Sequence, residues 1–273
     1  MAISPDLLYI ASMLDDADEN VGVNLLAQLV NRADELGELP ALLQESSDPV
    51  VRRRAHQLQS ALAMRKRRDS FYARINSDAP DALRALEELH LLWFDRDNAL
   101  ELHSATADFC EEFRNAGCGD LESIEIFMRR KNILPAAEST IQPENFCIGT
   151  VLDRRTGATS LLLALAVFLA KKPDLKLVRV LDEFAVYDGR GQLLLGSGSW
   201  RLCRAPEAQS MEFWSLRMIL KYLAGMLLSC AVNSDSYRYV MSIAQALNGD
   251  KSEHVFDGFP YPFQSGKDDE EQL

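Results

Sequence analysis

The chain has 273 residues, of which 47% are hydrophobic and 26% charged, with a formal net charge of −12. That length can bury a sizeable core in one large or two modest domains, and the negative balance disfavours non-specific binding to nucleic acid or anionic membrane. No run reaches the roughly eighteen apolar residues of a bilayer span, and the N-terminus MAISPDLLYIASMLDDADE lacks the basic start of a secretion signal, so a cytoplasmic location is expected.

The predicted elements begin with two amphipathic helices. Leu7, Leu8, Ile10, Ala11 and Leu14 share one apolar face, and Val23, Leu25, Leu26, Leu29 and Val30 another. Ser4-Pro5 reads as an N-cap followed by proline in the first turn. Ser47-Asp48-Pro49 then opens a long helix, predicted from Pro49 to about Lys66. It resembles the second helix of a HEAT repeat, in a single copy. Arg52, Arg53, Arg54, Arg65, Lys66, Arg67 and Arg68 form the main basic concentration of the chain. They read either as a docking patch for an acidic partner or RNA, or as a solvated face balancing the acidic N-terminal helices; the second reading is preferred, since no aromatic residues interleave.

Asn76–Asp81 marks a break between a helical N-terminal subdomain (1–76) and the rest. Helices are predicted over Pro80–Phe94, Leu102–Phe113 and Leu121–Lys131, with a polar connector from Pro135 to Pro143. Leu161–Ala170, LLLALAVFLA, is wholly apolar but too short to cross a bilayer, which predicts a helix buried on all faces. Thr159 or Ser160 is the expected N-cap, and Lys171, Lys172 and Pro173 close the helix. Leu175–Leu181 alternates apolar with basic residues. Phe184–Tyr187 and Leu193–Leu195 flank Asp188-Gly189, a strong hairpin signal. Gly196-Ser197-Gly198-Ser199-Trp200 reads as a flexible segment beside the presumed site. Glu212–Val232 and Tyr237–Leu247 read as a terminal helix pair. Val255–Phe263 contains two prolines and is expected as an extended aromatic arm, packed on the body or held as a partner-binding strip. Lys267–Leu273 is expected as a disordered acidic tail.

The five cysteines lack metal-site or disulfide spacing and read as reduced, mostly buried thiols; His103 and Cys110 share a helix face as core residues rather than metal ligands. No metal and no organic cofactor are expected.

IEIFMRRKNILPAAESTIQPENFCIGTVLDRRTG, followed by the apolar helix and two strands, resembles the bacterial SirB-type branch of the transglutaminase-like family, within the papain-like superfamily. The resemblance spans roughly Ser70 to Asn248, and the terminal helices around Met218–Leu223 are similar to tetratricopeptide-like helices. It implies a nucleophile at the N-terminus of the buried helix, a histidine opening the next strand and an acid on the strand after that. Helix dipole, base and orienting acid would then act together. In this chain those positions fall on Thr159 or Ser160, Glu183 and Gly196, so the triad is degenerate, and no histidine occurs between His103 and His254. Arg154, Arg155, Asp182 and Trp200 are further cleft candidates.

The expectation is thus a predominantly helical α+β protein. It comprises the N-terminal helical subdomain (1–76), a transglutaminase-like core with a small antiparallel sheet (77–205), a helical pair (206–250) and the arm and tail (251–273). Its expected role is a non-catalytic interaction or scaffolding module with a protein partner, with neither nucleic acid nor membrane as target. The alternative is a weak hydrolase or acyltransferase with Thr159 or Ser160 as nucleophile and Asp182 or Glu183 as base.

Overall fold

The computed structural model describes residues 3–16, 18–77, 81–136, 142–234 and 236–249. The expected aromatic arm and acidic tail, and part of the connector before Pro143, lie outside the described residues. The fold is predominantly helical, with eleven α-helices and a five-stranded antiparallel sheet among the described residues. The chain divides into two compact units, one within Met1–Asp69 and the other Ser70–Leu247.

The first unit is built from α1 (Pro5–Ser12), α2 (Glu19–Asn31), α3 (Leu39–Gln44) and most of α4 (Pro49–Ile75). Its core joins Leu7, Leu14, Leu25, Leu26, Leu29, Leu36, Leu39 and Leu58. Ser4 stands at the N-cap of α1 with Pro5 after it, but its hydroxyl makes no cap bond. Asp18 caps α2, and Asp48 caps α4 by accepting the Val50 and Val51 amides at 2.7 and 3.3 Å. Helix α4 runs on to Ile75, well past the predicted end near Lys66. Its basic residues are not simply a solvated face. Arg54 is 1% exposed and donates to the carbonyls of Leu14 (2.9 Å) and Asp18 (3.2 Å), while Arg65 donates to the Val30 carbonyl (2.6 Å). Arg53 pairs with Glu19 at 2.7 Å, and Arg68 is buried. Much of the cationic run therefore ties α4 to the loops and helices before it.

The second unit takes α4 from Ser70 on. Glu88 accepts from Ser70 (2.6 Å) and, in a fork, from Arg74 (3.0 and 2.9 Å). Helices α5 (Ala82–Trp93), α6 (Ala99–Asn115) and α7 (Leu121–Arg130) follow, capped by Asp81, Asn98 and Asp120. Strand β1 (Leu134–Pro135) pairs in parallel with β2 (Thr156–Gly157), on either side of α8 (Ile148–Arg154). Then come α9 (Thr159–Ala170) and the strands β3 (Lys176–Val180), β4 (Glu183–Tyr187), β5 (Gln192–Leu195), β6 (Arg201–Arg204) and β7 (Glu212–Phe213), in sheet order β6-β5-β4-β3-β7. The Asp188–Gly191 hairpin joins β4 to β5 as expected, with Asp188 accepting the Arg190 and Gln192 amides.

Helix α9 packs on β3 and β4 and against α5, α6 and α10 (Leu216–Asn233). Leu161 through Ala166 are all buried, as an apolar run without a polar face requires, whereas Val167 to Ala170, expected to be buried too, are half-buried at the helix end. The sheet also buries Val178, Ala185, Leu193 and Met211 in a separate small cluster, while Lys176 of β3 stays exposed. The predicted Glu212–Val232 helix begins later. Glu212 and Phe213 instead form β7 against β3, and Ser215 caps α10. Helix α10 is long and apolar enough to cross a bilayer, yet Ile219, Leu220, Leu223, Ala224, Leu227 and Ala231 form its buried stripe inside the unit. Helix α11 (Tyr237–Asn248) stacks Tyr239 on Trp93, ring centroids 4.3 Å apart.

Candidate functional site

The approach to α9 is held by short-range pairing on both sides. Arg155 takes a left-handed conformation (φ 56°) that ends α8, and its carbonyl accepts the Leu134 amide at 2.8 Å. A Cβ on Gly157 would lie 2.6 Å from Val151 Cγ2, so only glycine lets this strand approach α8 so closely. The Ala158 amide donates to the Asn145 carbonyl at 2.7 Å. Ala158, not Thr159 or Ser160, is the N-cap of α9, and no side chain caps it. Thr159 and Ser160 instead occupy the first turn. The first amide of α9 to bond within the helix is Leu162, to the Ala158 carbonyl, which leaves the Thr159 and Ser160 amides without a partner in the helix.

A cleft of about 250 Å3 opens at this helix end. Thr159, Ser160 and Glu183 line it, together with Ala136, Asn145, Phe146, Arg179, Asp182, Phe184, Ser197, Tyr222 and Met226. Gly196 stands at its edge: a Cβ there would meet Thr159 Cγ2 at 2.9 Å and the Trp200 ring at 3.2 Å. The tertiary structure therefore brings Thr159, Ser160, Glu183 and Gly196, which span some forty residues of sequence, around one opening.

Their chemistry is modest. Glu183 Oε2 accepts from Ser197 Oγ at 3.1 Å, and no hydrogen bond joins it to Thr159 or Ser160. Asp182 is paired with Arg179 at 2.8 Å. Ser160 is 5% exposed, and its hydroxyl has no hydrogen-bond partner among the described residues. Arg179 Nε is likewise buried without an acceptor. Phe184, Trp214 and Tyr222 pack as mutually tilted rings 4.9 to 5.5 Å apart and form the apolar wall.

Three cleft candidates lie elsewhere. Trp200 is 1% exposed and donates from Nε1 to the Ile133 carbonyl at 2.6 Å, a core anchor behind the β5–β6 turn rather than a lining residue. Arg129 donates to the Trp200 carbonyl and secures the same anchor. Arg154 is exposed at the end of α8, and Arg155 lies over the Phe109 ring, 5.5 Å from its centroid. Conversely, Tyr222 and Met226 were not legible as cleft residues, because their apolar pattern is that of a core helix, and Phe146 sits in the short turn before α8. Arg179 had a signal, as a potential partner of Asp182.

Among the described residues no cysteine or histidine lines the cleft. Cys147 is 0% exposed, and burial raises its thiol well above the ordinary cysteine range, which disfavours a thiolate. His90 is buried against Gly149 and bonds Asp97 Oδ2 through Nε2 at 2.9 Å. His103 is exposed, not a core residue, and its Nδ1 lies 3.1 Å from Glu87 Oε1. Among the described residues no group of three His, Cys, Asp or Glu side chains is arranged to hold a metal ion.

No family model, curated protein or solved structure matches this chain.

Proposed function

We propose that residues 70–247 are a catalytically inactive, transglutaminase-like module that works in the cytoplasm through binding, holding a protein partner and keeping the α9 cleft as a binding site rather than a reaction centre. One observation carries this reading. The position that the resemblance gives to a histidine is Glu183, and its carboxylate is bonded to Ser197 instead of to Thr159 or Ser160. A hydroxyl without a base in contact stays a weak nucleophile.

A second reading, hydrolase or acyl transfer at Ser160 or Thr159, draws on the unpartnered Ser160 hydroxyl beside free helix amides, which resemble oxyanion donors. Both readings meet in one experiment. The purified protein is exposed to an alkyl fluorophosphonate and to nitrophenyl ester and anilide substrates, beside Ser160→Ala and Thr159→Ala. The binding module leaves both residues unlabelled and gives wild type and variants equal background turnover. Covalent labelling at Ser160 or Thr159, or turnover abolished by one of the variants, establishes the enzyme instead.

A further inference from the structure

The lining of the cleft carries both hydrogen-bond donors and a carboxylate, and that constrains what fits. The α9 terminus supplies donors: the Thr159 and Ser160 amides at the positive end of the helix dipole, and the unpartnered Ser160 hydroxyl, which is 5% exposed. The buried Nε of Arg179, without an acceptor, is a further donor among the lining residues. Strand β4 brings a carboxylate to the same lining. Asp182 is neutralised by Arg179 at 2.8 Å, but Glu183 has only the Ser197 hydroxyl at 3.1 Å, a neutral partner. Among the lining residues the formal charge is one cation, Arg179, against two anions, Asp182 and Glu183. Phe146, Phe184 and Met226 supply apolar wall.

A simple anion would meet the donors but be repelled by Glu183. A simple cation would meet Glu183 and leave the α9 donors and the buried Arg179 Nε without an acceptor, which is costly in a partly desolvated site. A molecule that carries both an anionic and a cationic group satisfies both. The volume of about 250 Å3 falls below the roughly 300–1,000 Å3 of pockets for drug-sized ligands, so the molecule is small.

We infer that the cleft binds a free α-amino acid with an apolar side chain. Its carboxylate sits on the Thr159 and Ser160 amides and the Ser160 hydroxyl, its ammonium on Glu183, and its side chain against Phe146, Phe184 and Met226. This rests on the reading of the cleft as a binding site.

The test is calorimetric titration of the intact protein with each of the twenty free L-amino acids. For the tightest ligand, its deaminated carboxylic acid and its decarboxylated amine follow; for leucine these are 4-methylpentanoate and 3-methylbutylamine. The expected result is binding of at least one apolar amino acid. Each truncated counterpart should be weaker by about tenfold or more, as should binding to Glu183→Gln, with a smaller loss in Ser160→Ala. Glu183 is exposed at the strand end, so Glu183→Gln keeps the fold even if the buried Ser160→Ala does not. Saturation by the carboxylic acid alone at equal affinity, unaltered affinity in Glu183→Gln, or no heat with any amino acid up to roughly 10 mM overturns the inference. Failure here with Ser160 and Thr159 still unlabelled by fluorophosphonate removes only the ligand class, whereas labelling removes the binding reading itself.

Discussion

Ser197 Oγ donates to Glu183 Oε2 at 3.1 Å, and no hydrogen bond joins this carboxylate to the hydroxyls of the α9 terminus. Ser197→Ala removes one exposed neutral donor, so urea denaturation should place the variant within about 0.5 kcal/mol of wild type. Ester hydrolysis should stay at background, because freeing Glu183 supplies no base in contact with Ser160. Ser160-dependent turnover in Ser197→Ala would show instead that the bond had been masking a catalytic carboxylate.

In the first unit, Gly22 and Arg54 fit one another. A Cβ on Gly22 would lie 2.2 Å from the Arg54 Cζ, and that guanidinium holds the Leu14 and Asp18 carbonyls. Arg54→Met removes donors from buried carbonyls and should cost about 2–3 kcal/mol. Gly22→Ala should cost a similar amount by forcing the guanidinium off its acceptors. Denaturation of both singles and the double variant should reveal strong coupling: with Arg54 already shortened, the added Cβ should cost less than it does alone.

Leu181 and Asp182 form a two-residue turn between β3 and β4, both with positive φ (48° and 69°). That is the backbone of a type I′ turn, which favours Asn and Gly, and a left-handed leucine costs about 1–2 kcal/mol. Leu181 is 91% exposed and loses no packing on substitution. Leu181→Asn should therefore raise stability by about 1 kcal/mol, read as a higher denaturation midpoint with unchanged slope. A lower midpoint would mean that the leucine makes contacts that outweigh the strain.

Burial lowers the pKa of His90, against a smaller opposing pull from its bond to Asp97. The folded protein thus holds this imidazole neutral at a pH where the unfolded chain already binds a proton. Its contribution is complete above the ordinary histidine value of about 6.5 and is lost as the pH falls below it. Thermal melts at steps from pH 7.5 to 5 should show a falling midpoint, with a shallower fall in His90→Gln. Equal slopes would place the titration elsewhere.

Local chemistry was readable directly from the amino-acid order. The helical period located the long amphipathic helices, Asp48-Pro49 marked the start of α4, Asp188-Gly189 marked a hairpin, and Leu161–Ala170 announced a helix buried over Leu161–Ala166 and half-buried beyond. These signals act over one or two turns of chain and need no distant partner. What depended on distant partners was decided by the tertiary structure. Arg54 looks like a surface cation until carbonyls forty and thirty-six residues away accept its bonds. Glu212 and Phe213 continue an apolar pattern into α10, yet they pair with Val178 and Arg179 as β7 because β3 offers an open edge there. Trp200, in a glycine-serine stretch, becomes a core anchor because Ile133 presents a carbonyl to its indole. The gathering of Thr159, Ser160, Glu183 and Gly196 has the same origin: the resemblance named the positions, but only the packing of α9 on the sheet brings a helix terminus, a strand end and a turn to one opening.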